Sequence, residues 1–447
     1  MDVTAPATGR VRDGRKALTR DHWILLAILG ATSFFEGYDK SVLVVALKQI
    51  RETFGLTQAD ASLWLAFTYM GALPAMVVAR RADIIGRRRL LLFSIVIYTL
   101  AAGATALAPG IGIFVLLQFV ARLFLTAEAA IVVTFAAEEL PAKARGYGFG
   151  FLGMMLSLGF GWGAIQYSIL EPMGVSWRWM YVLAVPPLIL ITFARRRLPE
   201  SRRFTAARDR DRLASSWTLL LKPPHRRMLI LASLVGFLIE LPTEAGVFAL
   251  DFLQEERGFS ASAAGISLVL AGLPGIPLMV RAGALSDRFG RRVVGSGFML
   301  LSAAGGAAFF WVPASDPLLV FFMAIMTSGS MGGWPILAGM VTELFPTALR
   351  SQATSTATGF RISGQAASLF LGGALLHLTN HNFPLSVTIL SLGVVAAVVI
   401  VMRLLPDTHG EELEMLTGEA AFVSGEAQPT AVDPSGVSDP AVGVVAK

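Results

Sequence analysis

The stretch "SFFEGYDKSVL" (33–43) sets Glu36, Asp39 and Lys40 inside an otherwise apolar run. A charged side chain at the centre of a bilayer costs roughly 2.5–3.5 kcal/mol to insert, so it is kept where it meets a cavity or a partner. Positions i, i+3 and i+4 share one face of a helix, a face expected to line a water-filled pathway. Glu36 precedes Lys40 by four residues, the favourable order for an ion pair, which can be purely structural. Asp39 is then left over. A carboxylate without a partner in apolar surroundings favours its neutral form, and a group so poised can take up and release a proton as water access alternates. Asp39 is the leading proton-coupling candidate, with Glu36 beside it.

A second cluster lies in "SQATSTATGFRISGQAASLF" (351–370). Thr354, Thr358, Arg361, Gln365 and Ser368 recur at helical spacing and form one polar stripe. Arg361 falls roughly 14 Å along that run, near mid-bilayer. Its planar guanidinium matches a carboxylate in two-point fashion. One reading is a clamp for an anionic substrate, with Gln365 a turn away. The other is a salt bridge to Glu128, Glu240 or Asp39 that holds helices together.

Three further runs carry chemistry. "FLIELPTEAGVF" (237–248) sets Glu240 and Glu244 around Pro242, and a broken helix beside carboxylates points to a transport site. Glu244, nearer the end of its run, reads as solvated; Glu240 joins the proton-coupling candidates. "GSMGGWPILAG" (329–339) puts Trp334 beside Pro335, either as a stacking platform for substrate or as packing. In the run 112–137, Arg122 is a charge partner for a first-run carboxylate and a candidate substrate contact, and Glu128 is a further proton-coupling candidate.

The elements that position these groups follow from hydropathy. Of 447 residues 54% are hydrophobic and only 15% charged, against about a quarter charged in a soluble domain. Twelve apolar runs are long enough to cross a bilayer: 22–46, 59–79, 90–108, 112–137, 146–169, 179–195, 228–253, 261–282, 293–313, 318–343, 352–377 and 384–404. The first is too long for a signal peptide and reads as a retained helix. Lys and Arg gather in the N-terminal tail, in "RRADIIGRRR" (80–89) and in the stretch 195–227, whereas the alternate loops offer little beyond Lys48, Arg51, Arg178 and Arg257. Basic loops mark the cytoplasmic side, so both termini are expected there. The net charge of +6 therefore encodes topology and not a nucleic-acid surface.

The chain repeats itself. "ADIIGRRR" (82–89) aligns with "SDRFGRRV" (286–293) at an offset of 204, which also relates Glu36 to Glu240 and Glu139 to Glu343. Pro141 and Arg145 match Pro346 and Arg350 one residue later. The expected organisation is a basic tail (1–21), a six-helix half (22–195), a linker (196–227), a second six-helix half (228–404) and a disordered tail (405–447). Parallel six-helix repeats carry their binding site between the halves, near the midplane.

These residues resemble the major facilitator superfamily. "GALSDRFGRR" (283–292) fits its G-x-L-x-D-x-x-G-R-R loop at every fixed position, while "ARRADIIGRR" (79–88) has Ala79 and Arg81 for the Gly and Leu. "RLFLTAEAA" (122–130) is similar to the fourth-helix pattern, with Thr126, Glu128 and Ala130 where glycines stand, so no family role passes to Glu128. "RRRLPESRRF" (195–204) and "LPDTHGEELE" (405–414) look like sugar-porter and organic-acid symporter signatures. "EGYD" is similar to the D-G-x-D of aromatic-acid:proton symporters, a branch in which an arginine also recurs in the helix of Arg361. In the antiporter signature Gly150, Gly159 and Gly163 fit, but Ala164 replaces the proline, which leans toward symport. The resemblance implies an all-α major facilitator fold of twelve helices. It also implies gating roles for Asp83, Gly86, Arg87, Arg88, Asp287, Gly290, Arg291, Arg292, Arg145 and Arg350.

The expectation is a proton-coupled symporter of a small organic anion, an aromatic or other carboxylate, working by alternating access. A sugar or polyol symporter, a proton-driven exporter and a non-transporting sensor are the alternatives. No nucleotide is expected as partner, because the pattern G-x-x-x-x-G-K-[ST] is absent. No enzyme activity, metal or cofactor other than the proton is expected: there is no cysteine, and the five histidines fall at run ends or in loops. The expected setting is a bacterial cytoplasmic membrane, with one chain sufficient for a pathway.

Overall fold

The computed structural model describes residues 18–81, 85–141, 144–196, 220–223, 225–313, 316–345, 347–380 and 382–406. The first half holds α1 (Arg20–Val45), its short continuation α2 (Leu47–Phe54), α3 (Gln58–Met70), α4 (Ala72–Arg80), α5 (Arg87–Thr105), α6 (Ile111–Glu139), α7 (Arg145–Leu170) and α8 (Arg178–Arg195). The second holds α9 (His225–Ile239), α10 (Thr243–Glu255), α11 (Ala261–Gly272), α12 (Gly275–Phe289), α13 (Arg291–Trp311), α14 (Asp316–Glu343), α15 (Thr347–Leu378) and α16 (Phe383–Leu404). With α3–α4, α9–α10 and α11–α12 each read as one kinked rod, the described helices make twelve rods on the expected boundaries. The tail segments 1–17 and 407–447 and most of the linker lie outside the described residues.

Local chemistry sets the ends and the breaks. Thr19 caps α1 in a reciprocal box with His22, and Thr57 does the same for α3 with Asp60. The sequence reading takes 59–79, 228–253 and 261–282 as continuous spans. The structure breaks them at Gly71, at 240–242 and at Leu273–Pro274, because a proline that lacks its N–H ends the preceding helix in two of the three. The turns into α5 and α13 rest on Gly86 (φ 105°) and Gly290 (φ 90°), a backbone region in which a Cβ is strained.

Among the described residues, nine rods are long and apolar enough to cross a membrane. The other three are α1, α9–α10 and α15, and they carry Asp39, Glu240 and Arg361 respectively.

The two halves are built alike. In the first, α1 packs on α7, α5 on α6 and α8, and α4 on α6; in the second, α9 packs on α15, α13 on α14 and α16, and α12 on α14. Two glycines let the paired helices touch backbone to backbone. A Cβ on Gly159 would lie 1.8 Å from Phe34 O, and one on Gly364 would lie 2.3 Å from Phe237 O. Gly163 is also close-packed, against Ser41, whereas Gly150 faces open space. The glycines of the antiporter-like pattern therefore do packing work in part.

The core is fused at one end and divided at the other. Away from the basic loops a single cluster runs through both halves, joining Val42, Leu65 and Tyr181 to Phe248, Phe310 and Leu369. Toward the basic end it separates into Leu26, Leu91 and Phe135 in the first half and Leu337, Met340 and Val394 in the second. The halves are thus shut against each other at the end opposite the basic loops and part toward the basic end.

Candidate functional site

Asp39 sits in α1 one residue before Lys40, about 100° around the helix from it. That rotation separates the charges expected to share a face. Lys40 Nζ donates to Glu36 Oε1 at 2.6 Å, and this pair stays partly exposed, 39% for Lys40 and 16% for Glu36. Asp39 turns inward and is buried. Tyr98 OH donates to its Oδ1 at a long 3.4 Å, and Oδ2 accepts no hydrogen bond among the described residues. Arg122 stands on α6, which packs against α1. Arg122 is itself buried, stacks over the Tyr69 ring at 4.4 Å, and leaves Nε and Nη2 without hydrogen bonds among the described residues. Asp39 and Arg122 are thus a buried carboxylate and a buried guanidinium on helices packed together, each with polar atoms that no described residue bonds.

Glu128 lies elsewhere in the same half. It pairs with Arg195 of α8, which also donates to Thr32 Oγ1 and, at 3.2 Å, to Leu91 O. Both side chains are sealed, 1% and 2% exposed. The sequence reading counts Arg195 among the topogenic basic residues; its partner on α6 and its burial are legible only in three dimensions.

Arg361 stands near the middle of α15, facing the break between α9 and α10. Its Nη1 donates to Glu240 Oε1 at 2.6 Å, while Gln365 Nε2 donates to Glu240 Oε2 at 3.1 Å. Of the three partners weighed for Arg361, Glu240 is the one the fold selects. The break supplies the geometry: Ser368, one turn beyond Gln365, donates to the Leu241 carbonyl, which the interrupted helix leaves without its usual donor. Unlike Glu128–Arg195, this pair is open, with Arg361 22% and Glu240 18% exposed.

A third charged cluster was missed by sequence reasoning. Arg51 of α2, taken as a loop charge, bonds Asp251 of α10 at 3.1 Å and also pairs with Glu255. Gln58 Nε2 donates to Asp251 Oδ2 at 3.0 Å, and His377 lies 3.8 Å from Asp60 nearby. Ser62 donates to Leu369 O and Ser262 to Ser168 O, again across the halves. These hydrogen bonds and ion pairs between the halves all lie at the shut end. One signal was available: Arg51 and Glu255 stand 204 apart, the repeat offset itself.

At the basic end Arg88 donates to Arg196 O at 2.5 Å, closing the end of α8, and Arg292 donates to Met402 O near the end of α16. Arg291 pairs with Glu343 of α14. Asp83 and the side chains of Arg87, Arg145, Asp287, Arg350, Trp334 and Glu244 lie outside the described residues. Among the described residues no cluster of His, Cys, Asp and Glu could hold a metal.

The sequence profile of the Major Facilitator Superfamily matches residues 29–244 and again 244–424, one match for each half. The chain belongs to the major facilitator superfamily. It is 24% identical to a niacin transporter, NiaP, of Acinetobacter baylyi, over 88% of this chain and 96% of that protein. It is 22% identical to an arabinose-proton symporter of Bacillus subtilis, over 89% of this chain and 96% of that one. Among solved structures, a D-xylose-proton symporter superposes with a TM-score of 0.72 at 18% identity, covering 88% of this chain and 99% of its own. The inward-open xylose transporter XylE of E. coli gives 0.70 at 18% identity, covering 89% and 98%. Superfamily members of this kind are multi-pass membrane transporters, and proton coupling is named in two of these relatives.

Proposed function

We propose that this superfamily member is a proton-coupled symporter of a small aromatic or related carboxylate. The observation that carries the reading is Arg361: a partly exposed guanidinium at mid-helix, with the Gln365 amide one turn away. A sugar offers that arginine no anion to bind. The niacin transporter, whose cargo by name is a pyridine carboxylate, lends support from outside the geometry. Asp39 is the proton site in this reading. It is buried, weakly hydrogen-bonded and on a helix packed against that of Arg122, so its charge can be neutralised and restored as the pathway changes its opening.

With the basic loops on the cytoplasmic side, the described conformation is closed outward and parted inward, the state that releases cargo to the cell. Arg51, Asp251 and Glu255 are then the outer latch. The residues of the basic-end loops, Asp83 and Asp287 with their arginines, would close the inner end in the opposite state.

Uptake into proteoliposomes tests the reading. A panel of benzoate, nicotinate, nicotinamide, arabinose and xylose is supplied with and without an inward proton gradient, to wild type, Asp39→Asn and Arg361→Gln. Gradient-driven accumulation of an acid, lost in both variants, is the expected result. Accumulation of a sugar that ignores Arg361→Gln would replace the anion reading with a sugar symporter.

A further inference from the structure

Each half keeps one charge pair partly open within its span. In the first half Lys40 holds Glu36 on α1, and in the second Arg361 and Gln365 of α15 hold Glu240 at the break between α9 and α10. Both differ from the sealed pair of Glu128 and Arg195. The two glutamates stand 204 residues apart, the repeat offset, and the halves that carry them pack alike. They therefore occupy matching places in the two halves.

The packing of α1 leaves one direction for its pair. Phe34, Gly37 and Ser41 touch α7 at Gly159, Leu156 and Gly163. Thr32 and Asp39 meet Arg195 of α8 and Tyr98 of α5. At about 100° per residue, Glu36 and Lys40 lie about 40° apart on a stripe that belongs to neither set. From Leu29 to Leu47 the only other residues that are not buried are Ala31 and Phe34. The second half meets α1 through α10. An ion pair turned toward lipid is costly, so the stripe borders the pathway between the halves. Each half thus offers that pathway one cation and one carboxylate.

A simple anion uses the guanidinium and the Gln365 amide, but the two open glutamates repel it. A solute that carries a cationic nitrogen as well as a carboxylate turns one glutamate into a contact. It also adds no net charge to a set of two cations and two carboxylates that already balance, so no charge is stranded within the bilayer. The side chains have the capacity. A guanidinium has five N–H donors and can hold two carboxylates at once, so Glu240 stays in place. Among the described residues Glu36 accepts from Lys40 alone, and through Oε1, which leaves Oε2 for a second donor.

We infer that the substrate is a zwitterion: its carboxylate binds Arg361 and Gln365 of the second half, and its positively charged nitrogen binds Glu36 of the first. Lys40 positions the Glu36 carboxylate and keeps the empty site neutral. The inference rests on the anion reading of Arg361 and supplies the other end of the cargo. Pyridinium carboxylates and betaines have this chemistry.

Three ring compounds of one shape separate the two ends. 1-Methylpyridinium-3-carboxylate carries both charges, 3-methylbenzoate the negative one alone and 1-methylpyridinium-3-carboxamide the positive one alone. All three keep these charges at about pH 7, because ordinary carboxyl groups ionise near pH 4. In calorimetric binding to the purified full chain the zwitterion should bind about tenfold or more tightly than 3-methylbenzoate, the worth of one hydrogen bond to a charged group. Glu36→Gln should remove that preference by weakening the zwitterion and not 3-methylbenzoate. A change in the overall field would instead act on the singly charged acid. Glu36→Asp retains the charge and should retain a preference for the zwitterion. Arg361→Gln should lose both carboxylates. Equal binding of the two by wild type overturns the inference and leaves the anion reading intact. A Glu36→Gln loss shared equally by the two does the same. Failure of both carboxylates to bind wild type, whether or not the carboxamide binds, overturns the anion reading and the inference with it.

Discussion

Neutralising Asp251 should loosen the shut end of the pathway. Its wholly buried carboxylate accepts from Arg51 Nε at 3.2 Å, from Arg51 Nη2 at 3.1 Å and from Gln58 at 3.0 Å, all across the interface between the halves. Asp251→Asn keeps the volume but removes the charge and turns an amide toward the guanidinium. Breaking a buried ion pair costs about 3–5 kcal/mol when it leaves a charge alone. Arg51 is not left alone, because it also pairs with Glu255 and donates to Leu56 O. The loss is then closer to that of one charge-assisted hydrogen bond, about 2 kcal/mol. That is about 30-fold in the equilibrium between shut and parted forms. The chain contains no cysteine, so a single introduced thiol reports cleanly. Ser62 is fully buried and bonds Leu369 O of the other half at 2.6 Å. In a Ser62→Cys background, a membrane-impermeant maleimide should react about 30-fold faster with Asp251→Asn added than without it. Ser176→Cys, exposed at the same end, gives the reference rate. Equal rates at position 62 would refute the argument that this cluster holds the end shut.

Other substitutions separate packing from chemistry. Gly159→Ala and Gly364→Ala each drive a Cβ into a facing backbone carbonyl and should cost about 1–3 kcal/mol, seen as a lower melting temperature in detergent, whereas Gly150→Ala meets open space and should not lower it. Arg195→Gln strands the sealed Glu128 carboxylate and should cost about 3–5 kcal/mol. Restoring neutrality with Glu128→Gln in the same chain should recover much of that melting temperature. Asp39→Asn should abolish accumulation driven by a proton gradient yet leave exchange of substrate across the membrane measurable by counterflow; Tyr98→Phe, which removes only a long hydrogen bond, should reduce the former severalfold without abolishing it.

The outline of this protein was legible in its sequence because the bilayer imposes a simple rule on each helix separately. A run of about 20 apolar residues must span, a basic loop marks one side, and a charge inside a span must have a reason. Those rules act on local sequence, so the twelve segments, the two halves and the candidates Asp39, Glu240 and Arg361 could all be read directly.

What the tertiary structure alone decided was which charge meets which. Glu36, Asp39 and Lys40 share a helical face on paper, but α7 and α5 pack so that Asp39 is sealed beside Tyr98 while Glu36 and Lys40 pair with each other. Arg361 had three eligible partners, and the break at Pro242 brought Glu240 to it. Arg195 and Arg51 looked like loop charges, yet one is buried on Glu128 and the other joins the halves through Asp251. An ion pair depends on the rotation and depth of two helices far apart in the chain, and a few residues of either changes the partner. Sequence fixes the cost of burying each charge; only the packing of the helices determines how that cost is met.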